Sequence, residues 1–258
     1  MTSNFNYNPS RSLPARLSRR LTQWNIAAPL GRDLKRPIVS FTFDDFPKSA
    51  AYEGAKILED AGGRGTFYAC TSFMGQTTAT GEQFDARDVH ALTKAGHEIG
   101  SHTHTHLDCS KTNASAVRFD IETNLKHLRD MGIRNVQSFA YPYGETQPTL
   151  KRMLRKKFGT ARGVLAGQNT RQSDRMQLRA FEIANARWTV DRAAKAIRSA
   201  ASSPAWIVIF THDVCSNPSD YGTTPPALRE LVDIAQDIGA DIASVNAAVR
   251  TMDTAKND

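Results

Sequence analysis

Four short segments of this chain carry side chains that could together form a metal-dependent hydrolytic site. They are residues 41–45 (FTFDD), 101–106 (SHTHTH), 139–144 (FAYPYG) and 207–212 (IVIFTH). The first supplies adjacent carboxylates, the second imidazoles, the third a Pro-Gly turn and the fourth a single histidine. Two histidines and one carboxylate leave coordination positions open, which is typical of a catalytic metal site.

The adjacent carboxylates of Asp44 and Asp45 follow an apolar run that reads as a strand. Adjacent residues leaving a strand point in opposite directions, so the two carboxylates are expected to have different roles. One can bind a metal while the other accepts a proton. Taken alone, the pair is more typical of a helix-capping turn before Pro47, and it gains weight only from the histidines.

His102, His104 and His106 are three of the seven histidines of the chain. On a helical turn, residues four apart share a face, so His102 and His106 could bind one metal. His104 would then face away and make only a local hydrogen bond. In an extended segment all three imidazoles would share a face and His104 could also bind. The strand before the segment and the turn after it favour a helical turn with two histidine ligands.

The turn at residues 141–144 and His212 are weaker signals. Pro142 removes one backbone donor and Gly144 permits a tight path, so the amide of Tyr143 could face a ligand. His212 ends an apolar run, where a histidine can act as a general acid or base. Each feature is equally typical of an ordinary turn or a core histidine, so only their combination is informative.

Strand-like and helical stretches alternate from residue 37 onward. The strands are predicted at 37–43, 65–69, 97–101, 136–141, 159–164, 178–183, 206–211 and 241–245. The helices are predicted at 49–61, 86–95, 114–131, 149–157, 190–201 and 226–238. This alternation predicts βαβ units, a mostly parallel sheet and a barrel-like α/β domain. Active sites of such barrels lie at the carboxyl ends of the strands, where all four segments fall.

The bulk properties fit one large α/β domain. The chain has 258 residues and a net charge of +7, which indicates either a solvated basic surface or attraction to an anionic polymer or membrane. It contains no apolar run long enough to span a membrane and no secretory signal at its start. Cys70, Cys109 and Cys215 are odd in number and widely spaced, which predicts free thiols in a reducing compartment. A cytoplasmic location is therefore expected.

Residues 1–36 are predicted to form a basic arm ahead of a domain at 37–258. Leu17, Leu21 and Trp24 fall at helical spacing. They predict either a short helix that covers the bottom of the domain or a basic amphipathic contact with an anionic membrane or polymer. The basic residues of the arm are Arg11, Arg16, Arg19, Arg20, Arg32, Lys35 and Arg36.

Residues 37–247 resemble the NodB-homology polysaccharide deacetylases, which form carbohydrate esterase family 4. The Thr-Phe-Asp-Asp sequence at 42–45 resembles the first motif of that family, and His-Thr-x-x-His at 102–106 resembles the second. The segments at 139–144 and 209–212 occupy the places of the third and fifth motifs. The order and approximate spacing of the motifs match as well.

The resemblance implies a distorted (β/α) barrel of seven or eight βα units and hydrolysis of N-acetyl groups on an amino-sugar glycan, with release of acetate. It implies a general base at Asp44, divalent-metal ligands at Asp45, His102 and His106, an oxyanion-binding amide at Tyr143 and a general acid at His212. Zinc suits imidazole and carboxylate ligands, although manganese, cobalt or nickel can substitute. No nucleic-acid partner is expected.

The chain departs from the family pattern in two places. Ala140 stands where the third motif has an arginine that steadies the base, and the fourth-motif aspartate is not evident. Arg179 is expected to approach Asp44 from another strand and to supply the missing guanidinium, whereas Trp188 is interpreted as a helix-start aromatic. Two alternatives remain open: an amidohydrolase of the same fold acting on a small non-sugar amide, and a non-catalytic glycan-binding protein.

Overall fold

A parallel sheet forms the centre of the protein, which a computed structural model describes over residues 21–254. The eight strands of this sheet are β1 (Ile38–Asp44), β2 (Thr66–Ala69), β5 (Glu98–Ser101), β6 (Ser138–Ala140), β7 (Thr160–Arg162), β8 (Phe181–Glu182), β9 (Trp206–Thr211) and β10 (Asp241–Ile242). Strands β3 (Thr77–Thr78) and β4 (Gly81–Glu82) form a separate hairpin. The main path of the eight-stranded sheet is β7-β6-β5-β2-β1-β9-β8, and β10 also pairs with β1. Only the β3–β4 hairpin is antiparallel among these strands.

In addition to a helical turn at 21–24 and a 3-10 turn at Pro142–Gly144, seven helices of seven or more residues follow the strands along the described chain. They are α1 (a π-helical turn at Ala50–Gly54 that continues as α-helix over Ala55–Asp60), α2 (Ala86–Lys94), α3 (Ala114–Asp130), α4 (Pro148–Leu154), α5 (Arg187–Ser199), α6 (Pro225–Asp237) and α7 (Val245–Thr254). Side-chain caps begin several of them, because an oxygen at the N-cap satisfies a backbone N–H that has no partner within the helix. Asp85 caps α2, Asn113 caps α3 and Thr224 caps α6.

The sheet curls so far that its two edges meet. Leu178, three residues before β8, accepts a hydrogen bond from Gly163 N at 2.9 Å and donates one to Ala161 O at 2.9 Å. The chain that enters β8 therefore also pairs with β7, at the opposite end of the sheet path. Every residue of β1 and β9 is buried, as expected for parallel strands covered on both faces. The predicted distorted (β/α) barrel is confirmed.

Helix α7 closes the end of the barrel at which the strands begin. The Glu98 carboxylate accepts hydrogen bonds from Asn246 N and Thr66 Oγ1, both at 2.9 Å, and Thr66 Oγ1 accepts one from Val245 N at 2.9 Å. Burial raises the pKa of Glu98 above its ordinary value. These bonds satisfy the first N–H groups of α7, so the helix is fixed to the barrel interior through β2 and β5.

The described part of the basic arm packs against the domain. Its main anchor is the Asp174 carboxylate, which accepts hydrogen bonds from Ala27 N and Ala28 N and lies 2.8 Å from the buried Lys151 ammonium. Leu21 and Trp24 belong to a helical turn at 21–24, and both side chains are exposed. Leu17 and the other arm residues up to 20 lie outside the described residues.

Two further expectations concern cysteines and membrane spans. Cys70, Cys109 and Cys215 are free thiols, as their number and spacing predicted. Over residues 21–254, no helix combines the length and the apolar character needed to cross a bilayer.

Candidate active site

Because all the barrel strands run in one direction, their carboxyl ends meet at one rim, and β1 brings two carboxylates to it. Asp44 is the last residue of β1, and Asp45 follows with a φ of 53°. A left-handed backbone is uncommon outside glycine, although aspartate tolerates it better than most residues. Asp44 is 4% exposed and Asp45 1% exposed, so both carboxylates are buried just below the rim.

The segment after β5 brings two imidazoles to Asp45. His102 Nε2 lies 3.9 Å from Asp45 Oδ1, and His106 Nε2 lies 3.5 Å from Asp45 Oδ2. The predicted helical turn is wrong: Thr103 has a φ of 62° and His106 a φ of 54°, and the segment forms a bend rather than a helix. These left-handed residues reverse the chain direction, which is how two imidazoles reach one carboxylate without a helix.

Asp45, His102 and His106 have the chemistry of a cation site. One ligand atom from each residue lies within 4.8 Å of the others, and this is the single such group found over residues 21–254. Both Asp45 carboxylate oxygens are buried without a hydrogen bond from the protein. Since a buried carboxylate without a partner is costly, a bound cation would satisfy what the protein leaves unsatisfied.

The two imidazoles are held in the form that binds metals. Burial lowers the pKa of His102 and of His106 to about 4, so both rings are neutral near pH 7. His102 Nδ1 donates a hydrogen bond to Ala140 O at 2.8 Å, which leaves the lone pair on the Nε2 that faces Asp45. A backbone carbonyl on the second nitrogen is a common way to orient a ligand histidine.

His104 faces away from this cluster, as predicted. Its Nδ1 forms a 2.9 Å hydrogen bond with Thr71 Oγ1, and its ring contacts the His127 ring with the centroids 4.8 Å apart. Asp120 accepts a hydrogen bond from the His104 backbone N–H at 2.5 Å. The bend, rather than a helical turn, turns this side chain towards helix α3.

Arg162 supplies a guanidinium to Asp44, and Arg179 does not. Arg162 is fully buried at the end of β7, and its Nη2 donates to both Asp44 carboxylate oxygens. Its Nη1 donates to Gly163 O at 3.1 Å, and its guanidinium lies 4.8 Å from the centroid of the Phe210 ring. Arg179 instead donates from Nη1 to Ala166 O at 3.4 Å.

The prediction that Arg179 approaches Asp44 is therefore wrong. Arg179 lines a separate pocket with Gln168 and Gln177 on the side of the barrel. Arg162 is the functional residue that sequence reasoning missed. Its signal was present: a lone arginine within a predicted buried strand needs an ion-pair partner, because arginine is almost never fully buried unpaired.

The Arg162 guanidinium keeps Asp44 ionised. Burial by itself would raise the pKa of Asp44, but Arg162, with smaller effects from His102 and His212, holds that pKa below the ordinary value. Burial raises the pKa of Asp45, and the same two histidines oppose the rise only in part. The two adjacent carboxylates thus have different electrostatic environments, as their opposite directions predicted.

Tyr143 and His212 lie in the same pocket as Asp44. Tyr143 has a φ of 59° within the turn Pro142–Gly144, and its ring contacts the His106 ring at 4.7 Å. His212 lies directly after β9 and is half-buried, and its backbone N–H donates a hydrogen bond to Tyr221 O at 3.3 Å. The pocket has a volume of about 330 Å³ and is lined by Asp44, Thr80, His102, His106, Tyr141, Tyr143, Gly144, Val164, Glu182, Phe210, His212 and Tyr221. Thr80, Glu182 and Tyr221 had no sequence signal.

The comparisons with known proteins agree with this geometry. A family model described as "Polysaccharide deacetylase" matches residues 31–161. The chain is 27% identical over 113 residues to a bifunctional xylanase/deacetylase of Pseudobutyrivibrio xylanivorans, covering 44% of this chain and 18% of that protein. It is 31% identical over 85 residues to a chitin deacetylase of Arthroderma benhamiae, covering 33% and 21%. The matches thus span about a fifth of each relative.

Solved structures of low sequence identity share the fold. A CE4 domain of a multidomain xylanase from the hindgut metagenome of Trinervitermes trinervoides has a TM-score of 0.61 at 19% identity, covering 84% of this chain and 90% of that one. A CE4-family pseudoenzyme from Bacillus anthracis gives 0.59 at 14% identity, covering 83% and 66%. A peptidoglycan deacetylase from Bacillus subtilis gives 0.56 at 15% identity, covering 86% and 94%.

Proposed function

We propose that this chain, which belongs to the polysaccharide deacetylase family, removes N-acetyl groups from an amino-sugar glycan by metal-dependent hydrolysis and releases acetate. One observation carries the proposal: the cluster of Asp45, His102 and His106 lies beside an Asp44 carboxylate that a buried arginine keeps ionised. A cation site next to an ionised base is what amide hydrolysis by an activated water requires.

We assign Asp45, His102 and His106 as the ligands of a divalent cation, with zinc the best match for their donor atoms. The unsatisfied oxygens of Asp45 and the neutral imidazoles support this assignment. A cation bound there would supply Lewis acidity for an acetyl carbonyl and for a water molecule. Three protein ligands leave room for substrate and water, as in other hydrolytic sites.

Asp44 is the proposed general base. Its carboxylate lines the pocket beside the ligand cluster and is ionised, so it can accept the proton of the attacking water. Arg162 donates to both carboxylate oxygens and so fixes the orientation of the base. The same contact lowers the basicity of Asp44. We infer that the orientation of Asp44 matters more than its proton affinity, because a cation held by Asp45, His102 and His106 would lower the pKa of the attacking water.

We assign Tyr143 to the carbonyl oxygen and His212 to the nitrogen of the substrate amide. We assign the Tyr143 backbone N–H to the oxyanion, which is supported by the position of Tyr143 in a left-handed turn that lines the pocket. One such donor is typically worth about 3 kcal/mol of transition-state stabilisation. His212, on the pocket side of β9, is assigned to protonate the leaving nitrogen, since an amine leaves poorly as an anion.

A second candidate function is glycan binding without turnover. Ala140 removes the third-motif arginine, and one structural neighbour is a CE4-family pseudoenzyme. Against this alternative, Arg162 meets Asp44 from the adjacent strand, so the guanidinium is relocated rather than lost. The relatives named as chitin, xylan-associated and peptidoglycan deacetylases support a polysaccharide substrate rather than a small amide.

An acetate-release assay tests the proposal. The purified protein is incubated with N-acetylglucosamine oligomers, peptidoglycan and poly-N-acetylglucosamine, each with zinc, manganese, cobalt or nickel. We expect metal-dependent acetate release from at least one glycan, and loss of that release in Asp44→Asn with its metal content unchanged. Tight glycan binding without acetate release under every metal would favour the non-catalytic alternative.

A further inference from the structure

One pocket-lining side chain has no part in the proposed reaction. Glu182 is the last residue of β8, and its carboxylate lies at the rim of the pocket that contains Asp44 and His212. The side chain is exposed, and over residues 21–254 it forms no hydrogen bond or ion pair that would occupy it. A carboxylate at the mouth of a substrate pocket affects what the pocket accepts, because its charge acts at contact distance.

The guanidinium that stacks on the strand partner of Glu182 is already paired with another carboxylate. Glu182 is in register with Phe210 on β9, and the Arg162 guanidinium stacks on that Phe210 ring at 4.8 Å. Arg162 donates from Nη2 to Asp44 and from Nη1 to Gly163 O. The Arg162 guanidinium is therefore paired with Asp44 and is not free to pair with Glu182.

The other pocket walls contribute no positive side chain. Of the residues that line the pocket over the described chain, none is a lysine or an arginine. Besides the Asp44 carboxylate, the remaining polar side chains are hydroxyls and imidazoles, such as those of Thr80, Tyr221 and His212. The proposed cation at Asp45, His102 and His106 adds positive charge to the pocket, but the Asp44 and Asp45 carboxylates lie beside it. A sugar ring whose carboxylate lies against Glu182 would thus meet like charge, whereas a neutral or cationic ring would meet a hydrogen-bond acceptor.

We propose that Glu182 is a specificity-determining residue, and this inference rests on the proposed deacetylase function. Its carboxylate accepts hydrogen bonds from hydroxyl or ammonium groups of the bound sugar and repels rings that carry a carboxylate. The substrate class is then neutral or partly deacetylated amino-sugar chains rather than acidic glycans. The net charge of +7 attracts acidic glycans at long range. Glu182 therefore disfavours them only through direct contact within the pocket.

Short oligosaccharides separate the local effect from the long-range field. At about 0.15 M salt the screening length is roughly 8 Å, which suppresses distant charges more than a contact within the pocket. We would measure kcat/KM for a neutral N-acetylglucosamine tetramer and for a tetramer whose alternate rings carry a lactyl carboxylate. The variants are Glu182→Gln, which keeps the shape and removes the charge, and Glu53→Gln as the matched control. Glu53 is an exposed glutamate on α1 that does not line the pocket.

The wild type should prefer the neutral tetramer, and Glu182→Gln should reduce the preference ratio about tenfold, because water screens a like-charge contact at an exposed carboxylate to near its strength in bulk solvent. Glu53→Gln should leave the ratio unchanged. An unchanged ratio in Glu182→Gln, with thermal unfolding like that of the wild type, would overturn the inference while leaving the deacetylase function intact.

If the wild type releases no acetate from either tetramer, the proposed function fails separately. The dissociation constants of the same two tetramers, measured calorimetrically with the metal-loaded protein, then test Glu182 directly. A neutral-over-acidic binding preference that Glu182→Gln removes supports the inference. A preference that persists in the variant, or no binding of either tetramer, overturns it.

Discussion

Four residues at the site adopt a backbone conformation that is costly for their side chains. Over residues 21–254, the non-glycine residues with positive φ are Asp45, Thr103, His106 and Tyr143, and each lies at the ligand cluster or its adjoining turn. Such conformations cost about 1–3 kcal/mol each and persist only where the surrounding structure imposes them. Thr103 is the least tolerant of the four, because it is β-branched. The strain is concentrated where ligand geometry benefits from it.

The first prediction distinguishes the ligands from the histidine between them. Replacement of His102 or His106 by alanine should reduce bound zinc from about one ion per chain to near zero, because each is one of the three proposed protein ligands. His104→Ala is the matched control and should retain the metal and most of the activity, since His104 bonds to Thr71 instead. Metal content measured by atomic spectrometry decides the matter, and full occupancy in His106→Ala would contradict the assignment.

At the scale of strands, the pairing of β6 with β7 explains how Asp44, the proposed base, keeps a guanidinium partner. Ala140 and Arg162 are direct partners in the parallel register of these strands. Paired residues of neighbouring strands point to the same face, so an arginine at either position can reach the same region of the barrel. The Arg162 side chain reaches Asp44 between the rings of Tyr68 and Phe210, whose centroids lie 5.4 Å and 4.8 Å from its guanidinium.

This register yields a second prediction. Arg162→Ala should lower kcat at least a hundredfold and destabilise the protein by about 3–5 kcal/mol, because it leaves the Asp44 carboxylate buried and unpaired. The double variant Ala140→Arg with Arg162→Ala moves the guanidinium to the paired position. It should recover part of both losses, as measured by acetate release and urea unfolding. Arg179→Ala serves as the control and should leave kcat near the wild-type value.

Sequence patterns predicted the strands well because buried parallel strands are short continuous apolar runs. All eight predicted strands exist, and those at 37–43 and 206–211 are nearly complete. Pairing register is a property of two segments together, so the partner of Ala140 could not be read from either one. The position of residues 178–181 near the expected fourth motif led to the prediction that Arg179 contacts Asp44. In the structure Arg162, the strand partner of Ala140, makes that contact.

The prediction of a helical turn after β5 was wrong for a different reason. Spacing alone placed His102 and His106 on one face, and the helical turn that accounts for such spacing was the natural assumption. Left-handed conformations are usually predicted from glycine, and the left-handed positions here are Thr103 and His106. The sequence therefore does not predict the bend. The β3–β4 hairpin was also missed, because its strands have two residues each and carry no readable alternation. Helix α7 was missed as well, although it is longer than the predicted helices α2 and α4.

The attachment of α7 to the barrel gives a third prediction. Glu98→Ala removes the acceptor for Asn246 N and Thr66 Oγ1 and leaves these buried donors unsatisfied. The free energy of unfolding should fall by about 1–3 kcal/mol. Glu82→Ala is the matched control, because Glu82 forms an exposed ion pair with Lys48 that is worth less than about 1 kcal/mol. Equal losses in the two variants, measured by chemical denaturation, would argue against an anchoring role for Glu98.

For the molecule as a whole, charge is distributed between the domain and its arm. Residues 21–36 include Arg32, Lys35 and Arg36, and Arg36 pairs with Asp241 at 3.4 Å. The rest of the basic arm precedes the described residues, so contact of the arm with an anionic membrane or polymer stays a prediction. Such contact would weaken as salt rises, because exposed charges are screened.

The final prediction concerns the stability of the whole domain with and without metal. A ligand that binds only the folded state stabilises it by about 2.7 kcal/mol at a hundredfold excess over its dissociation constant. For a domain of this size, each kcal/mol corresponds to roughly 2–4 °C in Tm. Chelation should therefore lower Tm by about 5–10 °C, and added zinc should restore it, in calorimetric scans of the wild type.

Asp45→Asn separates this ligand effect from the electrostatics of the folded chain. Burial raises the pKa of Asp45, so the ionised carboxylate opposes folding at neutral pH when no metal is bound. The metal-free variant should consequently be more stable than the metal-free wild type, although zinc should no longer raise its Tm. As pH falls through the raised pKa, Asp45 becomes protonated in the folded wild type and its penalty disappears. The stability difference should shrink in acid, and a difference that grows there would mean that Asp45 is stabilised as an anion by groups other than a metal.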